Sequence, residues 1–216
     1  MPQILSARAV LLDMDGTLVD STAVVERLWL EWAAGHSLDA ETVLGVIHGR
    51  QGHESMAILL PERDAAINAA ENAELLKAET AQTDGVVAVA GSAELLAALD
   101  GVPHALVTSA DVALATARMG AAGLGVPVVK VTAEDVERSK PHPEGFLRAA
   151  ELLGVAPADC IVFEDSETGI AAGIAAGMTV IGVGERAEGQ GAAAVIPDLT
   201  AVTVRALRHG VELDLA

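Results

Sequence analysis

Ala9-Val10-Leu11-Leu12-Asp13-Met14-Asp15-Gly16-Thr17-Leu18 sets two carboxylates directly behind an unbroken apolar run. Four apolar residues in a row read as a parallel strand buried on both faces, and ligands of open α/β sheets gather beyond the carboxyl ends of such strands. Residues two apart on a strand share a face, so Asp13 and Asp15 are expected in one pocket. Two carboxylates that close repel unless one is protonated or a cation lies between them. A hard divalent cation is the simplest solution. Gly16 permits the backbone turn that takes the chain off the sheet. Taken alone, an Asp-rich turn with a glycine is also an ordinary strand end, and the rest of the chain separates the two readings.

Further apolar runs alternate with helix-like stretches, the pattern of a doubly wound, Rossmann-like α/β domain with a parallel sheet. Ala105-Leu106-Val107 leads into Thr108-Ser109, Ile161-Val162-Phe163 leads into Glu164-Asp165, and 126–131 and 179–183 read as further strands. Helical spacing is expected over 92–99, 111–122, 143–153 and 166–176. Ser92, Asp111 and Ser166 suit N-caps, Pro143 a first helical turn, and Gly101, Gly123, Gly154 and Gly177 helix ends. Residues 19–83 differ: they carry four helical patterns, over 21–34, 39–47, 52–60 and 63–80, and no convincing strand. They are expected to form a small helical cap inserted after the first strand and closing over the strand ends, with 1–18 and 84–216 making a discontinuous core. Val24, Val25, Leu28, Trp29 and Trp32 fit one face of the first cap helix.

The 216 residues suffice for one full core and a small second unit. Half of the composition is apolar (51%) but only 2% is aromatic, so the core must be packed from Ala, Val, Leu and Ile. A net charge of -18 argues against nucleic acid or an anionic membrane as partner. No apolar window is long enough to span a bilayer, and Met1-Pro2-Gln3-Ile4 does not resemble a secretory signal. The single Cys160 reads as a buried strand residue and fits a reducing, cytoplasmic setting. A monomer or weak homo-oligomer is expected. An acidic protein that handles an anion must reverse the sign of its field locally, which requires a metal and particular side-chain cations.

Those cations come with the remaining motifs, Thr108-Ser109, Lys140-Pro141-His142-Pro143 and Glu164-Asp165-Ser166. Phosphoryl transfer to a carboxylate needs an in-line nucleophile, donors to the phosphoryl oxygens and neutralised charge. Asp13 can attack, Thr108 can donate, Lys140 can supply charge, and Asp165 with Glu164 can complete an oxygen shell of the kind Mg2+ accepts.

In the order Asp13-x-Asp15-Gly16-Thr17, Thr108, Lys140, Glu164-Asp165, the chain resembles the haloacid dehalogenase superfamily of phosphotransferases over nearly its whole length. Lys140-Pro141-His142-Pro143-Glu144 and Val162-Phe163-Glu164-Asp165-Ser166, followed by Gly169-Ile170-Ala171-Ala172-Gly173, resemble the branch with an α-helical cap that holds 2-deoxyglucose-6-phosphate and glycerol-phosphate phosphatases. The resemblance implies an Mg2+-dependent phosphomonoesterase acting on a small phosphorylated sugar or polyol. Asp13 would be phosphorylated, and Asp15 would protonate the leaving alcohol and then activate water. Mg2+ would be held by Asp13, the main-chain carbonyl of Asp15 and Asp165, with Glu164 as a near or outer ligand. Gly16, Ser109 and two cap residues, Arg50 and His48, would meet the substrate, with Arg50 preferred to His48 because a guanidinium suits oxyanions. Many relatives carry Pro-Gly where this chain has Ala90-Gly91 and an aromatic residue where it has Leu147, departures that affect hinge and packing rather than chemistry.

The main alternative is a sugar phosphomutase of the β-phosphoglucomutase type, which uses the same aspartates but returns the phosphoryl group to a sugar hydroxyl. Such mutases place a further lysine and an Asn soon after the second-strand serine, where this chain reads Ser109-Ala110-Asp111-Val112. A receiver domain, which also pairs a phosphorylated Asp with Thr, Lys and Mg2+, is shorter and lacks a helical insertion.

Overall fold

The computed structural model describes residues 3–216. In chain order the strands are β1 (Gln3–Ala7), β2 (Ala9–Leu12), β3 (Val19–Asp20), β4 (Val87–Ala88), β5 (His104–Val107), β6 (Val129–Val131), β7 (Cys160–Glu164), β8 (Thr179–Val183), β9 (Ala194–Ile196), β10 (Val202–Leu207) and β11 (Gly210–Leu215). The helices are α1 (Thr22–Gly35), α2 (Ala40–Leu44), α3 (Gly52–Leu59), α4 (Ala65–Ala81), α5 (Ser92–Ala98), α6 (Val112–Ala121), α7 (Glu144–Leu153) and α8 (Glu167–Ala175).

Six strands form a parallel sheet in the order β6-β5-β2-β7-β8-β9. Its middle is β2, whose four residues are all 0% exposed. Alternation divides them between two cores: Val10 and Leu12 face the layer that holds Leu95, Leu114 and Met119 of α5 and α6. Ala9 and Leu11 face Phe146, Ala149, Ile170 and Ala172 of α7 and α8. This period of two, with helices on both sides, is the doubly wound arrangement expected from the sequence. The chain builds β2, β5 and β6 outward on one side and returns to begin β7 on the other, so the crevice at the carboxyl end of β2 is where the winding reverses.

Register fixes what meets there. Leu12 lies opposite Leu106 of β5 and Phe163 of β7. The next residues along the three strands therefore bring Asp13, Thr108 and Glu164-Asp165 to one edge. The Asp13 amide donates to the Phe163 carbonyl (3.0 Å), which continues the ladder one step past the strand.

Several expected helix signals act as expected. Asp111 accepts from the Leu114 amide at 2.7 Å and Ser166 from the Gly169 amide at 3.1 Å, each as an N-cap. Gly154 closes α7 in the left-handed region. Ser92 does not cap α5; that place is taken by Gly91, and the Ser92 hydroxyl donates instead to the Leu18 carbonyl at 2.8 Å. The strand expected over 126–131 is shortened to Val129–Val131, because Pro127 lacks an amide proton for the ladder and Val128 is 95% exposed.

Two features of the fold were not anticipated. Val19–Asp20 pairs antiparallel with Val87–Ala88, tying together the chain on either side of the four helices α1 to α4. At the chain ends, β1, β11 and β10 make a separate three-stranded antiparallel sheet. Its hairpin turns at Arg208-His209 ahead of Gly210, whose φ of 142° and approach to the Ala7 carbonyl demand a glycine.

Phe146, one of only two phenylalanines, is 1% exposed on α7 in a core otherwise dominated by small side chains. Phe146→Ala should leave a cavity that costs about 3–5 kcal/mol. Thermal unfolding should show a fall in Tm on the order of 10 °C for a chain of this size.

Candidate active site

Asp13, Glu164 and Asp165 each offer a carboxylate oxygen within 4.8 Å of the other two, and all three residues are buried. Lys140 is the ammonium among them: its Nζ donates to Asp13 Oδ1 at 2.5 Å, to Glu164 Oε1 at 2.7 Å and to the Val107 carbonyl at 3.2 Å. Phe146 lies beneath it, its ring centroid 5.2 Å from Nζ. Burial opposes the Lys140 charge, but Asp13 and Glu164 outweigh it and hold its pKa above the ordinary lysine value. The carboxylates are less well served. Burial, reinforced by Glu164 and Asp165 against the pull of Lys140, raises Asp13 well above the usual range. Burial and the Glu164 charge push Asp165 up to about 7. Three buried carboxylates and one shared ammonium leave the cluster short of positive charge. An all-oxygen donor set of this kind suits a hard divalent cation.

Glycines make the crowding sterically feasible. A Cβ on Gly16, whose φ is +85°, would lie 2.1 Å from Asp165 Oδ2, and one on Gly169 would lie 1.6 Å from Glu164 Oε1. The Glu164 carboxylate is further pinned through Oε2, which accepts from the Ser166 amide (2.7 Å) and hydroxyl (2.9 Å). The serine that caps α8 therefore also orients the site.

Asp13 and Asp15 both line the cavity beneath α1 and α4, as expected. Their carboxylates have separate partners. Asp15 Oδ1 accepts from the Ser21 hydroxyl at 2.6 Å, and Oδ2 pairs with Arg118 Nη1 at 2.8 Å. Strand geometry ends at Leu12, and the turn closed by the Leu18 and Val19 amides on the Met14 carbonyl sets the Asp15 carboxylate outside the Asp13–Glu164–Asp165 group. Ser21, at the N-cap position of α1, makes no side-chain cap bond and spends its hydroxyl on Asp15 instead.

The other anticipated residues fall around the same cavity. Thr108, Ser109, Gly16, His48 and Arg50 line it together with Asp13, Asp15 and Asp165. Thr108 Oγ1 accepts from the Ala110 amide at 3.1 Å, which leaves its proton to donate elsewhere. Ser109 donates to the Gly49 carbonyl at 3.0 Å. The His48 ring lies 3.2 Å from Arg186 Nη1 and 3.4 Å from Glu26, and burial and Arg186 lower its pKa. Gly49 presses so closely on Ser166 and Thr168 that a Cβ there would lie 2.3 Å from either hydroxyl. Glu54 of α3 is hydrogen-bonded to Ser139 beside Lys140.

Three side chains were not anticipated. Arg186, in the segment after β8, lies 2.8 Å from Asp165 Oδ2. Arg118 joins Asp15 to Glu79 of α4, 2.9 Å from Nη2. A lone arginine inside a helical pattern carries no motif, and a glutamate near the end of a long helix reads as a solvated charge. The one available hint was that Arg118 sits among apolar positions of α6.

Comparisons with known proteins agree with this geometry. The family model for haloacid dehalogenase-like hydrolases matches residues 7–177. Hexitol phosphatase A of Escherichia coli is 44% identical over 183 residues, covering 84% of this chain and 85% of the relative. 2-Deoxyglucose-6-phosphate phosphatase 2 of Saccharomyces cerevisiae is 32% identical over 230 residues, covering 94% and 92%. A β-phosphoglucomutase crystal structure from Clostridium difficile superposes with a TM-score of 0.79 over 89% of this chain and 92% of that one; at 22% identity this shows a shared fold. With its acidic cluster at the carboxyl ends of β2 and β7 and the family model spanning most of its length, the chain belongs to the haloacid dehalogenase-like hydrolases.

Proposed function

We propose that the protein is an Mg2+-dependent phosphomonoesterase that hydrolyses small sugar or polyol phosphates through an aspartyl phosphate on Asp13. The observation that carries this reading is the buried Asp13–Lys140–Glu164–Asp165 cluster opening into the cavity beneath α1 and α4. The names of the two phosphatase relatives support the substrate class. The cavity holds about 90 Å3, small beside the roughly 300–1,000 Å3 of drug-sized pockets, which suits a compact ester. No helix among the described residues is long and apolar enough to cross a membrane, and the buried free Cys160 accords with a cytoplasmic setting.

In this reading Asp13 attacks phosphorus in line while Lys140 restrains its carboxylate and offsets developing charge. Thr108 and backbone amides near Gly16 donate to the phosphoryl oxygens, and the Ser109 hydroxyl does so once it leaves the Gly49 carbonyl. Mg2+ held by Asp13 and Asp165, with the Asp15 carbonyl and Glu164 close by, would neutralise the dianion as the nucleophile approaches. Asp15 gives its proton to the leaving oxygen and later takes one from the water that cleaves the aspartyl phosphate. Both Asp15 oxygens are engaged, by Ser21 and Arg118, so one contact must open for that exchange. Arg50, on the cavity wall, is assigned to substrate oxyanions, and His48 to the loop that positions it. Residues 19–83 act as the cap and the remainder as the catalytic core.

Asp13→Asn should lower kcat by at least about a thousandfold with little change in Tm, and undiminished phosphate release would refute the nucleophile. Asp15→Asn should accumulate phosphoenzyme or stall before it forms, detectable by mass spectrometry after mixing with substrate. A phosphate-release screen over hexose, pentose and polyol phosphates, with a bisphosphorylated hexose included, separates hydrolysis from the phosphomutase alternative. The raised Asp165 pKa predicts a metal dependence on pH. Stability that comes from its protonated form is present below the ordinary carboxylate range and lost as pH rises through about 7. Cation binding must displace that proton. Added Mg2+ should therefore raise Tm more at about pH 8 than at about pH 5.5, and an equal rise at both would exclude this coupling.

A further inference from the structure

Arg118 and Glu79 form a buried ion pair between α6 and α4, with side chains only 5% and 7% exposed. Both line the cavity beside Asp15. A buried ion pair is a poor stabiliser compared with apolar packing, and the surrounding wall of Val25, Trp29, Leu75 and Leu114 could have supplied such packing. The pair also sits one guanidinium away from the residue assigned to the leaving oxygen: Asp15 Oδ2 is 2.8 Å from Nη1, and Glu79 Oε2 is 2.9 Å from Nη2 of the same arginine. The carbon skeleton of any ester whose phosphorus lies at Asp13 and whose bridging oxygen faces Asp15 must run along this wall. The arginine there is already matched by two carboxylates, so Arg118 offers a second phosphate no unneutralised charge. The wall offers instead an acceptor and a donor side by side, which is what one alcohol needs.

Resting on the phosphomonoesterase reading, we infer that Glu79 and Arg118 are the specificity-determining pair for the leaving group. A hydroxyl on the carbon next to the ester carbon donates to the Glu79 carboxylate and accepts from the Arg118 guanidinium. The substrates selected are monophosphates whose leaving alcohol is uncharged and hydroxylated. Because the alcohol takes up part of the arginine fork, its binding also loosens the Arg118–Asp15 contact that must open for proton exchange. An ester lacking that hydroxyl leaves both partners tied to each other and to Asp15.

The test compares kcat/KM for glycerol 1-phosphate with that for 3-hydroxypropyl phosphate, which differs only by the missing hydroxyl, with p-nitrophenyl phosphate as a general hydrolase probe. The wild type should prefer glycerol 1-phosphate by roughly tenfold or more, as sites built to bond a substrate hydroxyl do. In Glu79→Gln, which keeps the shape but weakens the acceptor, the ratio should shrink to within about threefold. Arg118→Lys, which keeps the charge and loses the two-sided fork, should shrink it likewise. A wild type without the preference overturns the assignment, and so does a variant that slows both esters equally and preserves the ratio, since that marks a merely structural pair. Failure of the wild type to hydrolyse any of the three esters overturns the hydrolase reading itself, and this assignment with it.

Discussion

The contact between the Lys140 ammonium and the carboxylates of Asp13 and Glu164 is the constraint around which the rest of the site is arranged. A lone ammonium buried at this depth would lose its proton, and a lone carboxylate would gain one. Asp13 and Glu164 hold Lys140 in its charged form, and the parallel register of β2 and β7 makes the meeting unavoidable because it brings Asp13 and Glu164 off neighbouring strand ends. Lys140 then has to arrive from outside the sheet on the segment leading to α7. The carbonyl of Val107 and the ring of Phe146 receive it there. Sheet order, helix packing and charge thus converge on one nitrogen atom.

The same economy links the four inserted helices to the core. The His48-Gly49 turn offers its carbonyls to hydroxyls of the core, Gly49 to Ser109 and His48 to Thr168, and the absent side chain of Gly49 lets the backbone come that close. Glu54 reaches Ser139, and Glu79 reaches Arg118. Every one of these contacts is polar. Alongside these polar contacts, Val24, Leu28, Trp29 and Leu75 of α1 and α4 share one buried apolar cluster with Leu95, Leu114 and Met119 of α5 and α6, so the helical layer is joined to the core by both kinds of contact.

The legible part of the fold was the part that repeats a local rule. Buried parallel strands showed as apolar runs, helix starts as Asp111 and Ser166, and helix ends as Gly101, Gly123, Gly154 and Gly177, all of positive φ. The acidic and basic residues at strand ends could be ordered along the chain because the sheet's winding brings such ends together. The β1–β11–β10 sheet escaped notice since β1 and β10 are largely exposed and β1 pairs with β11 from the opposite end of the sequence, a pairing that no local pattern announces. Ser92 shows a subtler limit. A serine at a helix start satisfies the capping rule, yet its hydroxyl was claimed by Leu18, so tertiary demand outranked local preference. Arg118, Glu79 and Arg186 were invisible for a related reason: a charge on a helix or in a loop acquires meaning only when folding removes its water.

Charge bookkeeping shows how a protein of net charge -18 can attract a phosphate. Four of its thirteen basic side chains, Arg50, Arg118, Lys140 and Arg186, lie at this one site. Three of them are committed to carboxylates: Lys140 to Asp13 and Glu164, Arg118 to Asp15 and Glu79, and Arg186 to Asp165. The site's five carboxylates exceed its four cations, so side chains alone leave the cavity slightly negative, the wrong sign for a dianion. A divalent cation at the Asp13–Glu164–Asp165 cluster reverses that balance, and its arrival would free Arg186 from serving as Asp165's only cationic partner. The charges at the site therefore favour a divalent cation at the acidic cluster as much as the chemistry of phosphorus does.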